Sequence, residues 1–216
     1  MLDADIYGPS IPTMLGLKDR PHVNKDGKIL PLDAWGMKAV SIGLMVDPDQ
    51  PMIWRGPMIM TALTQLLSDV AWGDAEAPLD ILLLDMPPGT GDAQLTVGQK
   101  VRLTGAILVS TPQEVALADV RRGAGMFESL GVPLLGVIEN MAYFDGPDGG
   151  RSYIFGQGGA RATANKLGAP FLGEIPIYPE LREASDAGTP IVAAKPEAPA
   201  SAAFREIAAK LVEKLG

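Results

Sequence analysis

The chain has 216 residues, 47% of them hydrophobic and 20% charged, which describes one globular domain (1–216) with enough apolar material for a sizeable core. Its formal net charge of −8 argues against nonspecific binding to nucleic acid or to an anionic membrane. It contains no cysteine, which excludes disulfides, zinc–thiolate sites and cysteine-ligated iron–sulfur clusters within these residues. No apolar run approaches the roughly 18 residues of a membrane span. The N-terminus carries two acids and no basic stretch of a signal peptide, so a cytoplasmic location is expected.

Taken in order, residues 2–6 read as the end of a buried strand, and residues 16–35, polar and proline-bearing, as a loop or short hairpin. Met58, Ile59, Ala62, Leu63, Leu66, Leu67 and Val70 fall on one helical face behind Pro57, a good first-turn residue. Residues 79–84 form a short apolar run that enters Asp85, as in a strand buried on both faces; 105–110 and 132–138 read alike, and 171–175 more weakly. Thr111-Pro112-Gln113-Glu114 has the form of a capping box, opening a helix that runs to about Leu130 and stops at Gly131. Residues 158–167 and 202–215 are further helices, and the Ala/Pro-rich stretch 193–203 reads as a surface connector. Strands alternating with helices imply a mostly parallel sheet with helices on both faces, whose ligands bind beyond the carboxyl ends of the strands.

Three strand ends carry chemistry. Asp3 and Asp5 alternate along a strand end and point to one side, where one acid orients a water and the other helps hold Mg²⁺; alone, the pair also reads as solvated turn acids. Asp85 ends an apolar strand in the Walker-B manner, placed to hold Mg²⁺ through water, and Pro87-Pro88-Gly89-Thr90-Gly91 gives a stiff exit with glycines that let backbone amides approach a phosphate. Asn140 ends a third strand, where its amide suits an adenine edge or merely a turn.

Asp-Ala-Asp-Ile-Tyr-Gly-Pro-Ser, Asp-Met-Pro-Pro-Gly-Thr-Gly-Asp-Ala-Gln-Leu-Thr, Ser-Thr-Pro-Gln-Glu-Val-Ala-Leu-Ala-Asp, Glu-Asn-Met-Ala-Tyr-Phe and Ile-Phe-Gly-Gln-Gly-Gly-Ala stand in this order. Together they resemble the Mrp (ApbC-like) iron–sulfur carrier ATPases of the MinD/ParA class of deviant P-loop NTPases, to about Val192. The resemblance implies a homodimer that binds ATP and Mg²⁺, hydrolyses ATP, and carries iron–sulfur clusters to apoproteins. It assigns Asp5 to water orientation, Asp85 to the metal, Gly89 to γ-phosphate sensing, Asn140 to adenine and Pro176 to a place beside the base. Arg55, near the dimer face in such proteins, is either a contact to a partner's nucleotide or a surface anchor.

Two departures qualify these expectations. The family's phosphate loop should precede Asp3, and no Gly-x-x-x-x-Gly-Lys-[Ser/Thr] occurs in the chain, so the first strand is expected to be missing through an N-terminal truncation, and binding of ATP and Mg²⁺ to be weak or absent in these residues, which lack the phosphate-loop lysine that ATP hydrolysis in the family relies on. The family's Cys-x-x-Cys falls on Asp145-Gly146-Pro147-Asp148, whose hard carboxylates suit Mg²⁺ or Ca²⁺ better than a cluster and which otherwise reads as a polar turn. The alternatives are a degenerate, non-catalytic interaction module of the same fold and a MinD/ParA-type positioning ATPase; the mixed charges of the last helix argue against the second. The lone His22 is expected on the surface.

Overall fold

A two-residue strand is the centre of the first half of the chain. The computed structural model describes residues 1–45 and 56–216, so Trp54 and Arg55 lie outside the described residues. The chain divides into two compact units, Met1–Val101 with Ala184–Thr189, and Arg102–Glu183 with Pro190–Gly216.

In the first unit, β1 (Leu2–Asp3) is followed by α1 (Ile11–Leu15), the hairpin strands β2 (Leu32–Ala34) and β3 (Met37–Ser41), α2 (Gly56–Ser68), β4 (Leu84–Asp85) and α3 (Asp92–Lys100). The strand order is β2-β3-β1-β4, with β1 parallel to both neighbours and β2–β3 antiparallel. Alternation along β1 sends Leu2 toward α2, where it packs with Val40, Ile59, Leu63 and Leu66. Leu63 and Leu66 have no exposed surface, and burial of each contributes about 1.5–3 kcal/mol. The other face carries α1, whose Ile11 and Leu15 meet Ala34 and Ala39. Residues 16–35 hold a small antiparallel bridge, Val23 to Ile29, within the expected loop, and His22 is exposed as expected.

The second unit holds β5 (Ala106–Ser110), α4 (Glu114–Ser129), β6 (Leu134–Asn140), the hairpin β7 (Phe144–Asp145) and β8 (Arg151–Ser152), α5 (Gly159–Leu167), β9 (Phe171–Ile175), the start of α6 (Pro179–Asp186), α7 (Ile191–Ala194) and α8 (Pro199–Leu215). Its ladder runs β5-β6-β9, parallel throughout. Ala106, Leu108 and Val137 face α4 and α5, while Ile107, Ile138 and Leu172 face α8, so this sheet is covered on both sides. The parallel α/β class expected from the strand–helix alternation is found, divided over two ladders.

Three local expectations are corrected. The strand across 79–84 is reduced to Leu84–Asp85. The capping box at Thr111 does not form: α4 begins at Glu114, Gln113 is the N-cap without a side-chain bond, and Glu114 turns to Arg121 instead of reaching back. The stretch 193–203 is a surface connector only in part: residues 193–197 are exposed, but α8 already begins at Pro199, Ala200 and Ser201 are fully buried, and the Ser201 hydroxyl is shared between the carbonyls of Ile191 and Lys195 at 3.1 and 2.7 Å.

Gly159, in the first turn of α5, has no room for a side chain. A Cβ added at Gly159 would lie 2.1 Å from the Pro112 carbonyl oxygen and 2.7 Å from Leu117. Gly159→Ala is expected to lower stability by roughly 1–3 kcal/mol, as overpacking does. Gly125→Ala, in α4 with open space around it, is expected to raise stability by up to about 1 kcal/mol. Thermal unfolding of the two variants checks the contrast.

Candidate functional site

The carboxyl ends of β1 and β4 lie side by side, since Asp3 pairs with Asp85 in register and the Ala4 amide donates to the Asp85 carbonyl at 2.9 Å. This brings Asp3, Asp5 and Asp85 together in the first unit. Asp3 has no exposed surface; its Oδ1 accepts from the Asp5 amide at 3.1 Å and its Oδ2 from the Ser41 hydroxyl at 2.8 Å. Asp5 turns outward, and its Oδ1 accepts from the amides of Tyr7 and Gly8 at 3.1 Å each, which closes the loop after β1. Asp3 thus supports the Asp5 loop from beneath, and Asp5 and Asp85 are the acids with solvent access.

The electrostatics follow from this crowding. Burial pushes the Asp3 carboxyl above the ordinary carboxylate range, against the Ser41 hydroxyl and the backbone amides of Asp5 and Ile11, which pull it down. Asp85 is also raised, first by burial and then by the negative charges of Asp3 and Asp5. Among the described residues no group of three or more acid, histidine or cysteine side chains could hold a metal ion unaided.

The loop after β4 is held by a residue that carries no obvious signal in the sequence. Gln94, only 4% exposed on α3, donates through Nε2 to the carbonyls of Pro87 and Pro88 at 2.9 and 2.5 Å. Gly89 follows at φ +91°, a conformation that glycine adopts freely, so its amide can turn outward without Cβ strain. The residues 89–91 are exposed ahead of the first turn of α3. Ser41 was equally silent in the sequence: only the β1–β3 pairing puts its hydroxyl on Asp3.

In the second unit, Asn140 ends β6 opposite Ile175 of β9, and Pro176 is buried directly after it. The Asn140 Oδ1 accepts from the Met141 amide at 3.0 Å, and Met141 takes φ +53°, so the chain leaves the sheet sharply there. The Ile177 amide donates to the Tyr143 carbonyl at 2.7 Å, keeping the two departing segments paired.

The β7–β8 hairpin occupies the position of the expected Cys-x-x-Cys, and its acids are committed. Asp145 pairs with Arg151 at 3.0 Å, the Arg151 guanidinium lies 3.5 Å over the Tyr143 ring, and Asp148 accepts from the Gly150 amide at 3.1 Å. Tyr153 stands edge-on to Tyr143 at 6.2 Å.

A family profile described as ParA, NUBPL iron-transfer P-loop NTPase, matches residues 1–212. Among curated proteins, the chain is 49% identical over its whole length to the iron–sulfur protein required for NADH dehydrogenase of Arabidopsis thaliana mitochondria, covering 68% of that protein. It is 51% identical over 96% of its length to the iron–sulfur cluster carrier protein of Aquifex aeolicus, covering 57% of it, and 46% identical over its whole length to that of Escherichia coli, covering 58%. The chain therefore spans about three fifths of the bacterial relatives' length. Among solved structures, the nucleotide-binding protein of Archaeoglobus fulgidus in complex with ADP superposes with a TM-score of 0.72 at 41% identity, over 87% of this chain and 72% of that one. The septum site-determining protein MinD of Pyrococcus horikoshii shares the fold, with a TM-score of 0.70 at 20% identity over 100% of this chain and 83% of that one. No helix among the described residues is long and apolar enough to cross a membrane.

The raised Asp85 carboxyl has a testable sign. A carboxyl whose folded value lies above its unfolded value binds more protons when folded, so the folded state loses stability as pH rises through that window. Asp85→Asn is therefore expected to be more stable than the wild type at pH 7, with the advantage shrinking toward zero as pH falls to the ordinary carboxylate value of about 3.9. Denaturant titration of both proteins across this range measures it.

Proposed function

The chain belongs to the NUBPL-type iron-transfer P-loop NTPases of the ParA class, and from that premise we propose that it binds ATP in the service of iron–sulfur cluster transfer. The observation that carries the reading is the alignment of Asp3 with Asp85, which gathers the outward-facing Asp5, the half-buried Asp85 and the Gly89 turn at neighbouring strand ends. Asp5 orients the attacking water, and its own hold on the Tyr7 and Gly8 amides fixes the direction of its second oxygen. The Gly89 amide meets the terminal phosphate, with Gln94 bracing the turn behind it. Asn140 reads the adenine, and Pro176 lies beside the base.

The donor chemistry fits Mg²⁺. Asp85 offers hard oxygens, and its carboxyl is raised first by burial and then by the negative charges of Asp3 and Asp5. Mg²⁺ needs only one or two protein carboxylates when nucleotide phosphates supply further oxygens. Asp85 would hold the ion, which would supply positive charge against the phosphates. Asp3, sealed from solvent, supports rather than ligates.

The transferred cluster does not fit the residues of this chain. There is no thiolate, the single histidine is His22, and the hairpin acids are tied to Arg151 and to the Gly150 amide. Cluster ligands within the β7–β8 hairpin are therefore not part of the proposal. Hydrolysis, homodimer formation, delivery to apoproteins and a cytoplasmic setting belong to the same reading.

Two measurements test it. Calorimetry is expected to detect Mg²⁺-dependent ATP binding that Asp85→Asn weakens, while Asp5→Ala retains binding and lowers any turnover by about 10²-fold or more. Absence of nucleotide binding in the wild-type chain would sink the proposal. Anaerobic reconstitution with iron and sulfide is expected to leave the wild type colourless, whereas the double variant Asp145→Cys/Asp148→Cys gains cluster absorption; a coloured wild type contradicts the account of the hairpin.

A further inference from the structure

We propose that Glu139 is a positioning residue for base recognition, clasping the end of β6 to the first turn of α5 and so fixing the direction of Asn140; this rests on the nucleotide-binding reading above. Glu139 is 1% exposed, among the largest fully buried side chains in the structure. It shares its face of β6 with Val137, toward α4 and α5, while Ile138 and Asn140 point the other way. Its two oxygens are divided between two donors: Oε1 accepts from the Gly158 amide at 3.3 Å and Oε2 from the Ala160 amide at 2.7 Å. Backbone amides, and no cation, are its partners among the described residues.

This arrangement is unusual as a helix cap. A helix is ordinarily capped by its own N-cap side chain. Here the N-cap is Gly158 in a left-handed conformation with nothing to offer, and the cap comes from a strand, 19 residues earlier in the chain. The strand residue chosen is the immediate neighbour of Asn140. Residues 141–157 leave the sheet at the left-handed Met141 and return at Gly158, so the Glu139 carboxylate joins both ends of that excursion. The α5 end of the clasp cannot slide, because Gly159 is already seated on the Pro112 carbonyl. Release of the clasp frees the Asn140–Met141 turn, whose hydrogen bond orients the Asn140 amide.

The experiment is a double-mutant cycle on the full chain, read as ATP and GTP affinity by calorimetry. The wild type is expected to prefer ATP. Glu139→Gln, which keeps one acceptor and loses the other, is expected to weaken ATP about three- to tenfold, as for one net hydrogen bond, and GTP much less. Combined with Asn140→Ala it is expected to cost no further selectivity, because the two residues act as one unit. Hydrogen exchange at the Gly158 and Ala160 amides is expected to quicken in Glu139→Gln without nucleotide. Should that variant not fold, Glu139→Asp, shorter by one methylene, reads the same ratio. Equal weakening of ATP and GTP, or additive losses with Asn140→Ala, overturns the positioning role. Unchanged exchange at the two amides overturns the clasp alone, and a wild type that binds neither nucleotide overturns the nucleotide-binding reading itself.

Discussion

Each unit of this chain buries a carboxylate at the end of a parallel strand, and each satisfies it without a cation. Asp3 is held by the Ser41 hydroxyl and the Asp5 amide, and Glu139 by the amides of Gly158 and Ala160. A buried charge left without such donors costs several kcal/mol, on the order of the whole stability of a domain. The donors must therefore be in place whenever the unit is folded. In the first unit this requirement fixes the β3 end and the loop after β1. In the second it fixes the first turn of α5 and the place where the chain leaves β6.

These buried acids set what the exposed residues beside them can do. Asp5 follows Asp3 by two residues and is oriented by the same turn; Asn140 follows Glu139 directly. In both cases the buried member is the anchor and its neighbour meets solvent. Asp85 differs, because its carboxyl is raised by burial and by the two nearby acids. Such a cluster is tolerated at a cost in stability, and a ligand that brings positive charge would remove that cost. Stability given up at a strand end in this way is a common mark of a functional site.

Much of this was legible in the sequence, and the illegible parts have a shared cause. The helix Gly56–Ser68 and the stop at Gly131 follow from apolar periodicity and from a left-handed glycine, which are local signals. Asp5, Asp85 and Asn140 were legible because a polar residue close behind an apolar run marks a strand end, and Gly89 because it stands in the glycine-rich turn that follows one. What that pattern did not tell of Ser41, Gln94 and Glu139 is which partners they hold. Each acts across the fold, on a partner 38, 7 or 6, and 21 or 19 residues away, and only strand register or helix packing makes the pairing. The capping box at Thr111 failed for the converse reason: the local pattern was present, but Glu114 found Arg121, and Pro112 became the seat of Gly159.

The hairpin after Asn140 stands where the resemblance led to the expectation of a pair of thiolates. A pair of thiolates needs a turn whose side chains are free to meet a metal. In this chain the equivalent turn spends Asp145 on Arg151, lays Arg151 over Tyr143 and sets Tyr153 against the same ring. The ion pair alone is exposed and worth little, about 0–1 kcal/mol. Its stacking on an aromatic ring, between two strands only two residues long, gives the hairpin a fixed shape that the polar Gly/Pro sequence would not hold unaided. Glu139 ties down the base of this excursion and Arg151 ties down its stem. The order in this segment is thus spent on shape, and Asn140 at its root inherits that order.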